Sequence, residues 1–72
     1  MKNIKIEYDE DEDILDIFRI DSGCGEDHSI NDRDLAIISF NTKDEVVGLE
    51  FFEASKLFMI PKDILKNIHE IT

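Results

Sequence analysis

Three observations predict an α+β fold: a small antiparallel β-meander of three to four strands, a short turn or helix after the last strand, and a C-terminal amphipathic helix. Short runs alternate apolar and polar residues, the period of a strand with one face buried. Clusters of Asp, Ser, Asn and Gly separate these runs and have the composition of turns. The C-terminal stretch changes to helical spacing. The chain of 72 residues is read as one domain, residues 1–72. A domain of this size buries only about 60% of the surface its unfolded chain exposes, so its core is thin.

The elements follow in order. "NIKIEY" sets Ile4, Ile6 and Tyr8 against Lys5 and Glu7. "DEDED", residues 9–13, is a run of acids that repel one another and solvate well, as expected of a hairpin tip. "ILDIFRI" is the second strand, with Leu15 and Ile17 on one side and Phe18 and Ile20 on the other. Apolar groups on both faces call for a covering layer, from the C-terminal helix or a second subunit. "DSGCGEDHSINDRD", residues 21–34, is loop-like, and the part near "HSIN" is expected to extend the sheet as an edge. "LAIISFN" is a strand. "TKDE" has no glycine, so a tight two-residue primed turn is disfavoured and a longer connection expected.

"VVGLEFF" alternates Val47, Leu49 and Phe51 with Val46, Gly48 and Glu50. Gly48 suits a bulge or a closely packed neighbour, and Glu50 is expected to face water. Ala54 and Ser55 end the strand and begin a turn or helix through Leu57. In "IPKDILKNIHEIT", Pro61 suits the first helical position and Asp63 the positive end of the helix dipole. Ile64, Leu65, Ile68 and Ile71 form one apolar stripe, which predicts a helix over about 61–70.

Acidic residues number 18 against 8 basic, a formal charge of −10. Phosphate binding needs clustered Lys and Arg, so nucleic acid is excluded as a partner, and anionic membranes are disfavoured on the same ground. The charge favours basic partners. Cys24 is the one cysteine, so no disulfide forms within the chain, and the count fits a reducing compartment. No apolar run serves as a signal peptide or a membrane span. A cytoplasmic protein is expected.

Three segments, "YDEDEDIL", "AIISFN" and "VVGLEFFEAS", together resemble the short prokaryotic proteins known as domain of unknown function 2283. Tyr8 and Asp9 match the first family motif; Val47, Gly48, Leu49, Glu50, Ala54 and Ser55 match the second. The similarity spans about residues 4–58 and leaves the tail outside. Two departures stand out. Lys43, Asp44 and Glu45 replace the usual Asp-Gly turn, and Ser39 or Asn41 stands where an acid is common. The resemblance implies a small β-rich fold and no activity. Family genes found beside those of small toxin-like proteins imply an antitoxin-like role by association.

Candidate chemical constellations fall short on spacing. Asp9, Asp11 and Asp13 occupy the first three ligand positions of a calcium loop, but Ile14 stands where glycine is required and Ile20 at the closing Glu. Cys24, Asp27 and His28 share one loop and resemble a nucleophile's set. The surrounding negative charge raises a thiol's pKa, against reactivity. Cys24 and His28 give two zinc ligands and His69 a third, where structural zinc takes four. Glu50 and Glu53 are three apart and fall on opposite strand faces; Glu50 is read as an outer-face contact that fixes the bend near Ser55. No enzyme, cofactor or metal is expected. The expected role is an antitoxin-like, homodimeric interaction module binding a basic protein; the alternatives are a structural subunit or homodimeric domain of a larger assembly and, last, a small enzyme with Cys24 as nucleophile and His28 as base. Asp9, Glu10, Asp11, Glu12 and Asp13 would be its electrostatic face, and Phe52, Phe58 and Ile68 its apolar anchor.

Overall fold

A computed structural model describes residues 3–21 and 25–68. They form five antiparallel strands: β1 (Ile4–Asp9), β2 (Ile14–Arg19), β3 (His28–Asp32), β4 (Ala36–Phe40) and β5 (Val46–Phe51). Two one-turn helices follow, α1 (Ala54–Leu57) and α2 (Lys62–Leu65). The strand order is β1-β2-β5-β4-β3. Five strands replace the expected three to four, because the polar "HSIND" segment pairs fully with β4. The order also departs from a simple meander. After β2 the chain crosses to the far edge, and β3, β4 and β5 run back until β5 docks on β2. That closing pair joins Leu15 to Phe51 and Ile17 to Leu49.

Directly paired residues share a sheet face. The register therefore puts Ile4, Ile6, Tyr8, Leu15, Ile17, Leu49, Phe51, Ala36 and Ile38 on one apolar face. The other face carries Lys5, Glu7, Asp16, Phe18, Gly48, Glu50 and Ser39. Phe40 pairs with Val46 and Ser39 with Gly48, so Val47 is an extra residue and forms a β-bulge. Val47 is buried, whereas Val46 stays exposed.

The helices cover only part of the apolar face. Leu15, Ala54 and Leu65 form the core cluster, with Ile6, Tyr8, Phe51, Ile60 and Ile68 packed against it. The Cα extents of 35 × 30 × 16 Å leave room for one partial layer beside the sheet. The expected C-terminal helix over 61–70 shrinks to a single turn. Pro61 is its N-cap rather than its first residue, and Asp63 lies in the first turn as expected. After Leu65 the bonds tighten: Asn67 N–H donates to Ile64 and Ile68 N–H to Leu65, each three residues back. Leu65 is buried, but Ile64 is 55% exposed, so the expected apolar stripe does not pack as a unit. Ile71 lies outside the described residues. One-turn helices have no stability of their own and persist through the contacts of Ala54 and Leu65.

Polar side chains shape the turns. The β4–β5 connection needs no Asp-Gly because Asn41 organises it. Asn41 Oδ1 accepts from the N–H groups of Lys43 and Glu45, and its Nδ2 donates to Glu45 Oε1 at 2.8 Å. Asp44 takes the left-handed conformation (φ 61°) that glycine usually fills. In the β3–β4 hairpin Arg33 and Asp34 both have positive φ, and Leu35 N–H donates to the Asp32 carbonyl, as in a type I′ turn.

Gly48 answers no backbone strain. A Cβ there would stand 3.5 Å from Ser39 Cβ and 3.8 Å from Phe18 Cβ, ordinary contact distances. Gly48→Ala should therefore fold normally, with stability unchanged or raised by up to about 1 kcal/mol. Urea unfolding measures this; a clear loss would mean that the neighbouring bulge depends on glycine.

Candidate functional site

Asp13 ends the β1–β2 turn in a left-handed conformation (φ 56°) and is only 8% exposed. Tyr8 Oη donates to its Oδ1 at 2.6 Å. Ser55 reaches it twice, from N–H to Oδ1 at 3.0 Å and from Oγ to Oδ2 at 2.7 Å. Ala54 N–H donates to the Asp13 carbonyl at 3.0 Å. The N-terminal and C-terminal motifs thus meet on one carboxylate. Asp13 is withdrawn from the expected electrostatic face because an inward carboxylate needs these donors. The bend at Ser55 is held by Asp13, not by the expected contact from Glu50.

The Ser55 and Tyr8 hydrogen bonds hold the Asp13 carboxyl below its ordinary value. Burial, then the Asp13 bond, pushes the Tyr8 phenol up to about 12. For Asp13 the sign is stabilising: the carboxylate's contribution is complete above the unfolded pKa near 3.8 and is lost as pH falls through the lower folded value. Ser55→Ala should cost about 1–2 kcal/mol. Asp13→Ala should cost more, because Tyr8 and Ser55 both lose their acceptor. Urea unfolding orders the variants, and Asp13→Asn should flatten the acid limb of the wild-type stability curve.

The remaining hairpin acids, Asp9, Glu10, Asp11 and Glu12, are exposed as expected. Asp9 also organises the turn: its Oδ1 accepts from the N–H groups of Asp11 (3.0 Å) and Glu12 (3.2 Å). Among the described residues no group of three or more His, Cys, Asp or Glu is placed to hold a metal ion.

A second acidic feature was not anticipated from the sequence. Glu7 pairs with Asp16 across β1–β2, and Asp16 with Glu50 across β2–β5. Three carboxylates therefore stand in a row on the face opposite the helices. Lys5 Nζ lies 3.8 Å from Glu7, but no basic side chain among the described residues pairs with Asp16 or Glu50. Desolvation, then Glu50, Glu7 and Asp9, raises the Asp16 pKa. Beside the row a hollow of about 200 Å³ opens over Gly48, walled by Phe18, Ser39 and Glu26. The alternation of Glu7 and Asp16 within their strands was visible in sequence; their alignment with Glu50 required the register. Like charges directly opposite are destabilising. Asp16→Asn should therefore stabilise the protein at neutral pH. The difference should vanish as pH falls below the ordinary carboxyl value, where both states are protonated; parallel denaturation at pH 7 and pH 3 checks this.

The expected apolar anchor is rearranged. Phe58 is 41% exposed and packs edge-on against Phe51, with centroids 5.1 Å apart. Phe52 is half-buried, and Ile68 is drawn to the core cluster. Leu57, Met59 and Ile64 are also exposed. Cys24 and His69 lie outside the described residues. His28 is held between two carboxylates, with Nδ1 2.9 Å from Asp27 and Nε2 3.3 Å from Asp44, and its ring stacks on Phe40 at 5.1 Å. Glu53 adopts a left-handed cap and lies 3.4 Å from Lys56, apart from the Glu50 row.

These motifs define the class of protein. A family model described as "Protein of unknown function (DUF2283)" matches residues 5–55, and the chain belongs to that family. An uncharacterised protein of Methanocaldococcus jannaschii is 38% identical over 66 residues, which cover 90% of this chain and 54% of the relative. The chain thus spans about half the length of this curated relative. No solved structure matches. Among the described residues no helix is long and apolar enough to cross a membrane.

Proposed function

We propose that the protein is a small acidic interaction module of the cytoplasm that works as a homodimer and captures a basic protein, in the manner of an antitoxin neutralising a small toxin. The observation that carries this reading is the row Glu7–Asp16–Glu50, in which no Lys or Arg of the described residues forms an ion pair with Asp16 or Glu50. A sheet face of this kind costs stability, and a partner's Arg or Lys would relieve the repulsion. Exposed Asp9, Glu10, Asp11 and Glu12 widen the attractive field and steer a basic partner in. Phe58, with Leu57, Met59 and Ile64, offers apolar contact on the helical side.

The test begins with a tagged pull-down from native lysate at low salt, with elution by salt. The affinity of the captured protein is then measured. Asp16→Asn with Glu50→Gln should weaken binding roughly tenfold, and wild-type binding should weaken with added salt. Asp63→Asn, at an exposed position in the first turn of α2, serves as the control and should change little. A basic partner held equally well by the double variant, at every salt concentration, would refute the assignment.

A further inference from the structure

The structure has two sheet edges, and they are not equivalent. Lys66 and Ile68 lie beside Tyr8 and Asp9 at the β1 edge. Along β3, all five residues from His28 to Asp32 are exposed, and Ile30 is 54% exposed. An edge strand directs alternate N–H and C=O groups outward, where they bind water or another strand.

We propose that β3 is the joint between two copies of this chain, which pair antiparallel about Ile30 and continue the sheet from one copy into the other. This names the interface for the homodimer in the functional reading above and is independent of the basic partner. The argument is self-complementarity. In a two-fold antiparallel pair centred on Ile30, that residue meets Ile30 of the second copy. Ser29 meets Asn31, and His28 meets Asp32. Just beyond the strand, Asp27 comes opposite Arg33. Apolar thus faces apolar, hydrogen-bonding side chains face each other, and the Asp27–His28 pair of one copy lies alongside the Asp32–Arg33 pair of the other, each acid opposite a basic residue. Shifting the centre to Ser29 sets Ile30 against His28 and Asp32 against Glu26. Shifting it to Asn31 sets Ile30 against Asp32. Only the Ile30-centred register pairs the exposed apolar residue with itself.

The pairing preserves the faces, so the two apolar faces become continuous. The copies carry a formal charge of −10 each, which opposes their association. Screening therefore strengthens the dimer, the reverse of its effect on capture of a basic partner.

The experiment uses the full chain in a Cys24→Ser background, with single cysteines placed at Ile30, Ser29 or Asn31. Cβ atoms directly opposite are about 4.5–5.5 Å apart, close to the disulfide range of about 3.5–4.5 Å. Under mild oxidation Ile30→Cys should cross-link to itself. Ser29→Cys and Asn31→Cys should each cross-link poorly alone but efficiently when mixed. Sedimentation equilibrium of the wild type should show a dimer whose dissociation constant falls roughly tenfold from low to high salt. Ile30→Lys, at an exposed position that leaves the fold intact by circular dichroism, should raise that constant at least roughly tenfold. A wild-type monomer at high concentration in both salts would overturn the dimer and the joint together. A dimer unaffected by Ile30→Lys, or one without the Ser29–Asn31 cross-link, would overturn the joint and leave the dimer standing.

Discussion

The Asp13 carboxylate is the interaction on which the rest of the structure depends. It receives the Tyr8 hydroxyl from β1 and both donors of Ser55 from α1, while its carbonyl receives Ala54 N–H. Residues 42 positions apart are thereby tied at one point. The anchorage matters because the apolar core is small: Leu15, Val47, Ala54 and Leu65 are the buried hydrophobic residues among those described. Where burial supplies little free energy, a charged hydrogen-bonded junction contributes a larger share of a small total. Its position is also decisive. Ala54 sits at the junction, completely buried, so the carboxylate that turns the chain also brings the helical layer onto the sheet.

The same thinness explains the other sheet face. With neither helix packed there among the described residues, Asp16 and Glu50 stay only half-buried and can stand side by side. Burying them would demand a cation in the chain. Repulsion along the Glu7–Asp16–Glu50 row is thus a stability cost that a basic ligand can offset. The Arg19 guanidinium shows how the chain satisfies acids elsewhere. It lies 3.0 Å from Asp21 and 3.5 Å from Glu45, and it holds the Asp21 carboxyl below its usual range. At Glu45 the Asn41 hydrogen bond leads and Arg19 adds to the same effect. Three residues earlier on the same strand, Asp16 has no such ion-pair partner among the described residues. Self-association at β3 and capture of a basic protein would therefore use different parts of the molecule, and salt would act on them in opposite directions.

Local sequence determined the strands near the motifs. Alternation in "NIKIEY" and "VVGLEFF" placed Ile6, Tyr8, Leu49 and Phe51 on one side because a strand's two-residue period is a local property. Ala54 and Ser55, expected to end the strand and begin a turn or helix, open α1 after β5 has ended at Phe51. The "HSIND" strand was only half legible, since its exposed residues show no apolar period. The C-terminal helix was overestimated because periodicity counts apolar residues without knowing how much sheet is available to cover. Leu65 finds a place in the core and Ile64 does not.

The sequence by itself determined the acidic surface, the antiparallel strand class and the two motifs that mark the family. Those depend on composition and on neighbours along the chain. Only the tertiary structure decided that β5 lies between β2 and β4. It also decided that Asp13 turns inward while Asp9, Glu10, Asp11 and Glu12 remain outside, and that Glu7, Asp16 and Glu50 form one row. Each of these is a contact between residues distant in sequence, set by strand order and register, and a local pattern of residues carries no information about either.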